Sequence, residues 1–131
     1  MSQQRHDKLV EVVRRDGRYP LAAFVFLYEG LGRAEKDIHG ERIERGQPKV
    51  RHVTGQQLCQ SLREEAIERW GMLARTVLAR WNIHATIDFG NMVYLLVENE
   101  LMGKSEEDSL EDFRDVYDFN EAFGAGEVFE G

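Results

Sequence analysis

Apolar residues recur along this chain at helical spacing, and the longest clean stripe lies at residues 86–103, TIDFGNMVYLLVENELMG. Phe89, Met92, Val93, Leu96, Val97 and Leu101 fall three and four apart, which places them down one side of a helix. The pattern predicts a central core helix, capped by Thr86 or Asp88. Upstream, Leu9, Val10, Val12 and Val13 predict a short first helix over residues 5–16, ended by Gly17. The run LAAFVFLY, residues 21–28, has the β-propensity of a buried strand. Leu21, Phe24, Val25, Tyr28 and Leu31 nevertheless keep helical register behind Pro20, so a helix over 19–34 is expected, its last turn weakened by Gly30 and Gly32.

Periodicity stops at residues 35–52, EKDIHGERIERGQPKVRH, which read as a long surface loop. Thr54-Gly-Gln-Gln57 then fits a capping box, and the helix it opens carries Leu58, Cys59, Leu62, Ala66 and Ile67 to a close near Trp70-Gly71. A further run over 72–81 places Leu73, Val77, Leu78 and Trp81 inward, with Asn82 taking a left-handed backbone to end it. Helix, helix, four-residue connection, helix is the spacing of a helix-turn-helix trihelical centre. After Gly103 two arrangements stay open: a helix opening at Ser105, or a hairpin pairing 101–104 with 113–119, which would make a winged helix. The expected fold is mainly α: one compact helical domain over 1–118, followed by an acidic tail, 119–131, with a flexible end.

Charge changes this picture more than composition does. Residues 1–80 hold 15 Lys plus Arg against 11 Asp plus Glu, whereas residues 81–131 hold 2 against 13. A recognition helix meets a polyanion with basic or amide side chains. The segment 86–103 has no Lys or Arg and carries Asp88, Glu98 and Glu100, so nucleic acid is not expected to bind through it. A nucleic-acid role would have to use Arg63, Arg69, Arg75 and Arg80 on the preceding helices, where pairing with carboxylates is the simpler account.

Candidate chemistry is sparse. Cys59 sits on an apolar helix face beside Leu58 and Leu62 and reads as a core thiol rather than a nucleophile partnered by His52. As the single cysteine it permits no intrachain disulfide, which fits a reducing, cytoplasmic compartment. His84 and Asp88, and His39 with Asp37 and Glu41, lack the further ligands a metal site needs. The chain has no phosphate-binding glycine motif, nucleophile elbow or zinc-ligand spacing, so no catalytic residue, metal or cofactor is assigned. No apolar run reaches membrane-spanning length and no signal peptide is expected.

What remains is protein interaction. Trp70 and Trp81 are either corner posts of the core or anchors of an interface. Tyr94 and Glu98 lie on the less apolar side of the central helix, and Phe119 and Phe123 mix with acids in a tail suited to a groove. These six are the candidate interaction residues of a non-enzymatic interaction or regulatory domain, with a protein partner or a second copy expected. A nucleic-acid module using the arginines comes second, and an enzyme of unrecognised type third.

The segments TGQQL, ARTVL-x-x-W, DFGNMVYLLVE and YDF, within residues 19–123, resemble an uncharacterised family of small bacterial proteins of planctomycete and verrucomicrobial type. The resemblance implies a bacterial cytoplasmic origin and a compact single domain. It brings no activity and no residue roles.

Overall fold

The computed structural model describes residues 3–44, 53–103 and 108–124, with side chains described as far as residue 38 in the first of these stretches. Their regular structure is helical, with no strand among the described residues. Helix α1 spans Gln3–Asp16, α2 Leu21–Glu44, α3 Gly55–Trp70, α4 Ala74–Arg80, α5 Thr86–Glu98 and the single turn α6 Phe119–Ala122. Turns of 3-10 helix at Gly71–Leu73 and Leu110–Phe113 complete the order.

Local chemistry sets the ends of these elements. Gly17, at φ +78, ends α1 with its N–H on the Val13 carbonyl. Thr54 and Gln57 form the expected reciprocal capping box at the start of α3, with bonds of 3.1 and 2.9 Å. Asn82, at φ 65, closes α4, and the next residue, Ile83, donates to the Leu78 carbonyl and is buried. At the head of α5 the cap is Asp88 rather than Thr86: one Asp88 oxygen accepts the amides of His84 and Ala85. The other accepts the Tyr19 hydroxyl at 2.7 Å, tying the α1–α2 turn to α5. Thr86 instead turns inward, donating to the Phe113 carbonyl at 2.6 Å and accepting the Val116 amide.

Three expectations need correction. The loop expected over residues 35–52 is helical as far as Glu44, because α2 continues straight through Ala34, which is buried; residues 45–52 lie outside the described residues. The central helix stops at Glu98, and Leu101 is buried beyond it on a turn that bonds its amide to Leu96. The hairpin wing does not form among the described residues: Leu110–Phe113 is a 3-10 turn and Phe119–Ala122 a helical one. The alternative, a helix opening at Ser105 and carrying Leu110, Phe113 and Tyr117, does not form either: its first residues lie outside the described ones, and over 108–117 the chain holds only the 3-10 turn Leu110–Phe113.

The core is organised by close approaches at two places. At the α2–α3 crossing, a Cβ added to Gly30 would stand 2.3 Å from Leu62 Cδ2, and the Ser61 hydroxyl donates to the Gly30 carbonyl at 2.7 Å. Gly30 therefore admits α3 rather than weakening a helix end. The second place is Phe113, buried between Gly55 of α3 and Gly90 of α5, either of which would clash with it if it carried a Cβ. Because α2 is the main partner of α3, the helices α3, α4 and α5 do not form a core by themselves. Charge reinforces the α2–α3 crossing: Arg33 reaches Glu64, Glu65 and Glu68, and Arg69 bonds Glu29 and Glu65. Of the carboxylates, Glu64, Glu68 and Glu29 are largely exposed and only Glu65 is mostly covered, so packing dominates the crossing.

Gly30→Ala is expected to destabilise the fold by about 1–3 kcal/mol through overpacking against Leu62. Gly32→Ala, where nothing lies within 4 Å, should stabilise by about 0.5–1 kcal/mol through helix propensity. Urea unfolding of the two variants should move their midpoints in opposite directions, and a shared direction would contradict the crossing described here.

Candidate interaction site

Phe26 of α2 packs against both tryptophans, at ring-centroid distances of 5.2 Å to Trp70 and 5.8 Å to Trp81. The two indoles meet edge to face at 5.4 Å, the geometry aromatic quadrupoles favour. Phe26 is sealed in the core while both tryptophans remain half-buried, so each ring is core wall on one side and surface on the other. The Arg69 guanidinium lies over Phe26 at 5.8 Å, held by its bonds to Glu29 and Glu65.

Next to these rings in sequence the chain exposes large apolar side chains. Met72 is 65% and Leu73 50% exposed on the turn that follows Trp70, with Ile67 at 41% one helical turn before it. Val25, at 48%, precedes Phe26 on α2. Leu73 was expected inward. Gly71, at φ 52, breaks the α-helical phase and the following 3-10 turn rotates Met72 and Leu73 to the outside. The signal that could have found this surface is Trp-Gly followed by two large apolar residues, which a continuous helical register obscures.

The other candidates do not join it. Tyr94 lines a cavity bounded by α2, α3, α5 and the second 3-10 turn. Its hydroxyl is buried with no hydrogen-bond partner, and burial, with Asp108 and Asp112 nearby, raises its pKa. Glu98 is the single exposed residue of α5; the pKa of Arg18 is raised chiefly by its bond to Asp16, with Glu98 a minor contributor. Phe119 and Phe123 belong to the core: they meet at 5.0 Å, Phe119 stacks on Tyr117 at 6.0 Å and reaches Phe89 at 6.2 Å. The tail expected over 119–131 is thus docked through Phe123, and residues 125–131 lie outside the described residues.

The four arginines are dispersed among different tasks. Arg63 donates to the Ala122 carbonyl at 3.4 Å, holding α6 down, and Arg69 is neutralised by two glutamates. Arg75 lines a separate polar cleft with His84 and Asp118, and Arg80 is exposed. In α5 every residue but Glu98 is buried or half-buried, so it has no open face of the kind a groove-reading helix presents.

Catalytic candidates stay apart. Cys59 is fully buried and its backbone carbonyl accepts the Tyr117 hydroxyl at 2.7 Å, whereas His84 is exposed and faces Asn82. The spacing of His84 and Asp88 serves the helix cap. The side chains of His39 and His52 lie outside those described. Among the described residues no group of three or more His, Cys, Asp or Glu could hold a metal, and no helix is long and apolar enough to cross a membrane. No family model, curated protein or solved structure matches the chain.

Burial pushes the Cys59 thiol from 9.0 up to about 12. Burial, then the bond to Asp88, pushes the Tyr19 hydroxyl from 10.0 up to about 12. Both groups keep their protons in the folded chain at pH values where the unfolded chain loses them. Their contribution to stability is therefore complete below about pH 9 and is lost as pH rises through the folded values near 12. Denaturant titrations across alkaline pH should show a falling unfolding free energy, and a thiol reagent should modify Cys59 only on unfolding. Prompt labelling of the native chain at neutral pH would contradict its sealed position.

Proposed function

We propose that this chain is a non-enzymatic protein-interaction domain and that the tryptophan-centred surface is where it meets its partner. The observation that carries the reading is that exposed Met72 and Leu73 follow half-buried Trp70 in the chain, with exposed Ile67 one helical turn before it, next to the Phe26–Trp70–Trp81 ring cluster. Exposed apolar residues scattered singly are ordinary, whereas a group around aromatic anchors is characteristic of interfaces. The core behind them keeps the two indoles fixed, which lowers the entropy lost when a partner docks. Methionine adds an adaptable contact at the edge. The Arg69–Glu29 pair at 2.7 Å supplies a polar rim.

The partner is either a second copy of the chain or another protein with an apolar patch of similar extent. The nucleic-acid alternative has less support, because Arg69 is already engaged by carboxylates and α5 exposes only an acid.

Met72→Glu with Leu73→Glu tests this reading without opening the core, since both side chains point outward. The unsubstituted chain should sediment as a dimer or co-purify with one stoichiometric partner. The double variant should lose at least about tenfold in affinity, as expected when central apolar contacts are replaced by unpaired charge. Its urea midpoint should stay close to that of the parent. Association that is unchanged by both charges, or an unsubstituted chain that remains a lone monomer with no partner, would overturn the assignment.

A further inference from the structure

Four sulfur atoms fall among the described residues, those of Cys59, Met72, Met92 and Met102. Their exposure sets one apart. Cys59 and Met92 are fully buried, and Met102 is half-buried against the core. Met72 is 65% exposed on the 3-10 turn after Trp70, the most open of the large apolar side chains described.

We propose that Met72 is an oxidation-sensitive contact of the tryptophan surface, and that conversion of its thioether to a sulfoxide weakens docking there. This role rests on that surface being the place where a partner binds, and gives the place a control. Hydrogen peroxide is the oxidant. The thioether sulfur donates a lone pair to one peroxide oxygen and the O–O bond breaks. The departing hydroxide then takes the proton left on the new sulfur–oxygen group, giving a sulfoxide and water, so the sulfur is oxidised and the peroxide reduced. A methionine sulfoxide reductase reverses the change, the oxygen leaving as water while a dithiol becomes a disulfide.

Placement in the fold decides where this chemistry acts and what it alters. Oxidation of Met92 or Cys59 requires the core to open, whereas the Met72 thioether meets solvent in the folded chain. With most of its surface in water, Met72 contributes little to the core, so a sulfoxide there leaves the fold intact. Docking is affected differently, because the sulfoxide oxygen is an acceptor that a partner's apolar surface buries without supplying a donor. Met72 follows Trp70 by two residues and adjoins exposed Leu73, so the polar group enters the patch at its most open point. The adaptable apolar contact that methionine supplies becomes a polar one.

Mild hydrogen peroxide treatment of the full chain, followed by peptide mass spectrometry, should add oxygen at Met72 before Met92 or Met102 is modified. Sedimentation of the oxidised chain, alone and with its co-purified partner, should show an affinity at least about fivefold weaker, the loss expected from one polar atom buried without a partner. Its urea midpoint should match that of the untreated chain. Methionine sulfoxide reductase should restore the affinity, and Met72→Leu should keep its own affinity through the same treatment. Oxidation of Met92 or Met102 as fast as Met72, or the same loss in Met72→Leu, would each overturn the proposal. Unchanged affinity of the Met72 sulfoxide form overturns it too, and the double charge variant at Met72 and Leu73 then separates two cases. If that variant binds weakly, the surface stands and the oxidation control alone fails; if it binds normally, or the untreated chain is a lone monomer, the surface fails as well.

Discussion

The close crossing of α2 and α3 at Gly30 is the constraint on which the other packing depends. With no side chain at Gly30, Leu62 lies against the α2 backbone and Ser61 bonds the carbonyl there. That bond satisfies a buried hydroxyl that would otherwise be an expense to the core. The approach brings Phe26 on α2 within reach of Trp70 at the end of α3, and it aligns Arg33 with the acidic side of α3. Both the tryptophan surface and the cavity take a wall from each of these helices, so their shapes follow from one glycine.

A second constraint closes the other side. Phe113 occupies the slot that Gly55 and Gly90 leave open, and the Thr86 hydroxyl fixes its carbonyl. The acidic C-terminal portion therefore does more than solvate a basic N-terminal half. Its aromatic residues Phe113, Tyr117, Phe119 and Phe123 bury themselves against α3 and α5 while its carboxylates remain at the surface or cap turns.

Much of this was legible in the order of residues wherever a local rule decides the outcome. The Thr54–Gln57 box, the left-handed Asn82, the glycine after α1 and the stripe from Phe89 to Leu96 are set by neighbours in sequence, and each is found where it was expected. What escaped was set by distant neighbours. Gly30 reads as a weak point because its partner, Leu62, is on another helix. The charged first part of 35–52 reads as loop because the period there is faint, yet the buried Ala34 carries α2 forward. Leu73 was misplaced because the positive φ at Gly71 and the 3-10 turn after it shift the phase locally, while Leu78 in α4 is buried as expected. Of the candidate residues, Trp70, Trp81 and Tyr94 line surfaces or cavities of interest, whereas Phe119 and Phe123 were spent on the core.

The hydroxyl of Tyr117 bonds the carbonyl of Cys59 across 58 residues of chain, and this bond has a bearing on how the molecule is assembled. The segment carrying Tyr117 and Phe113 has no regular structure longer than a turn, so it gains order only from a seat that α3 and α5 have already formed. This clasp is therefore expected to dock after α3 and α5 have packed, and to be the first part to lift in thermal fluctuation. Proton exchange at the backbone of α3 near Cys59 then reports two separate events, the lifting of a short aromatic strap and the rarer loss of the entire core.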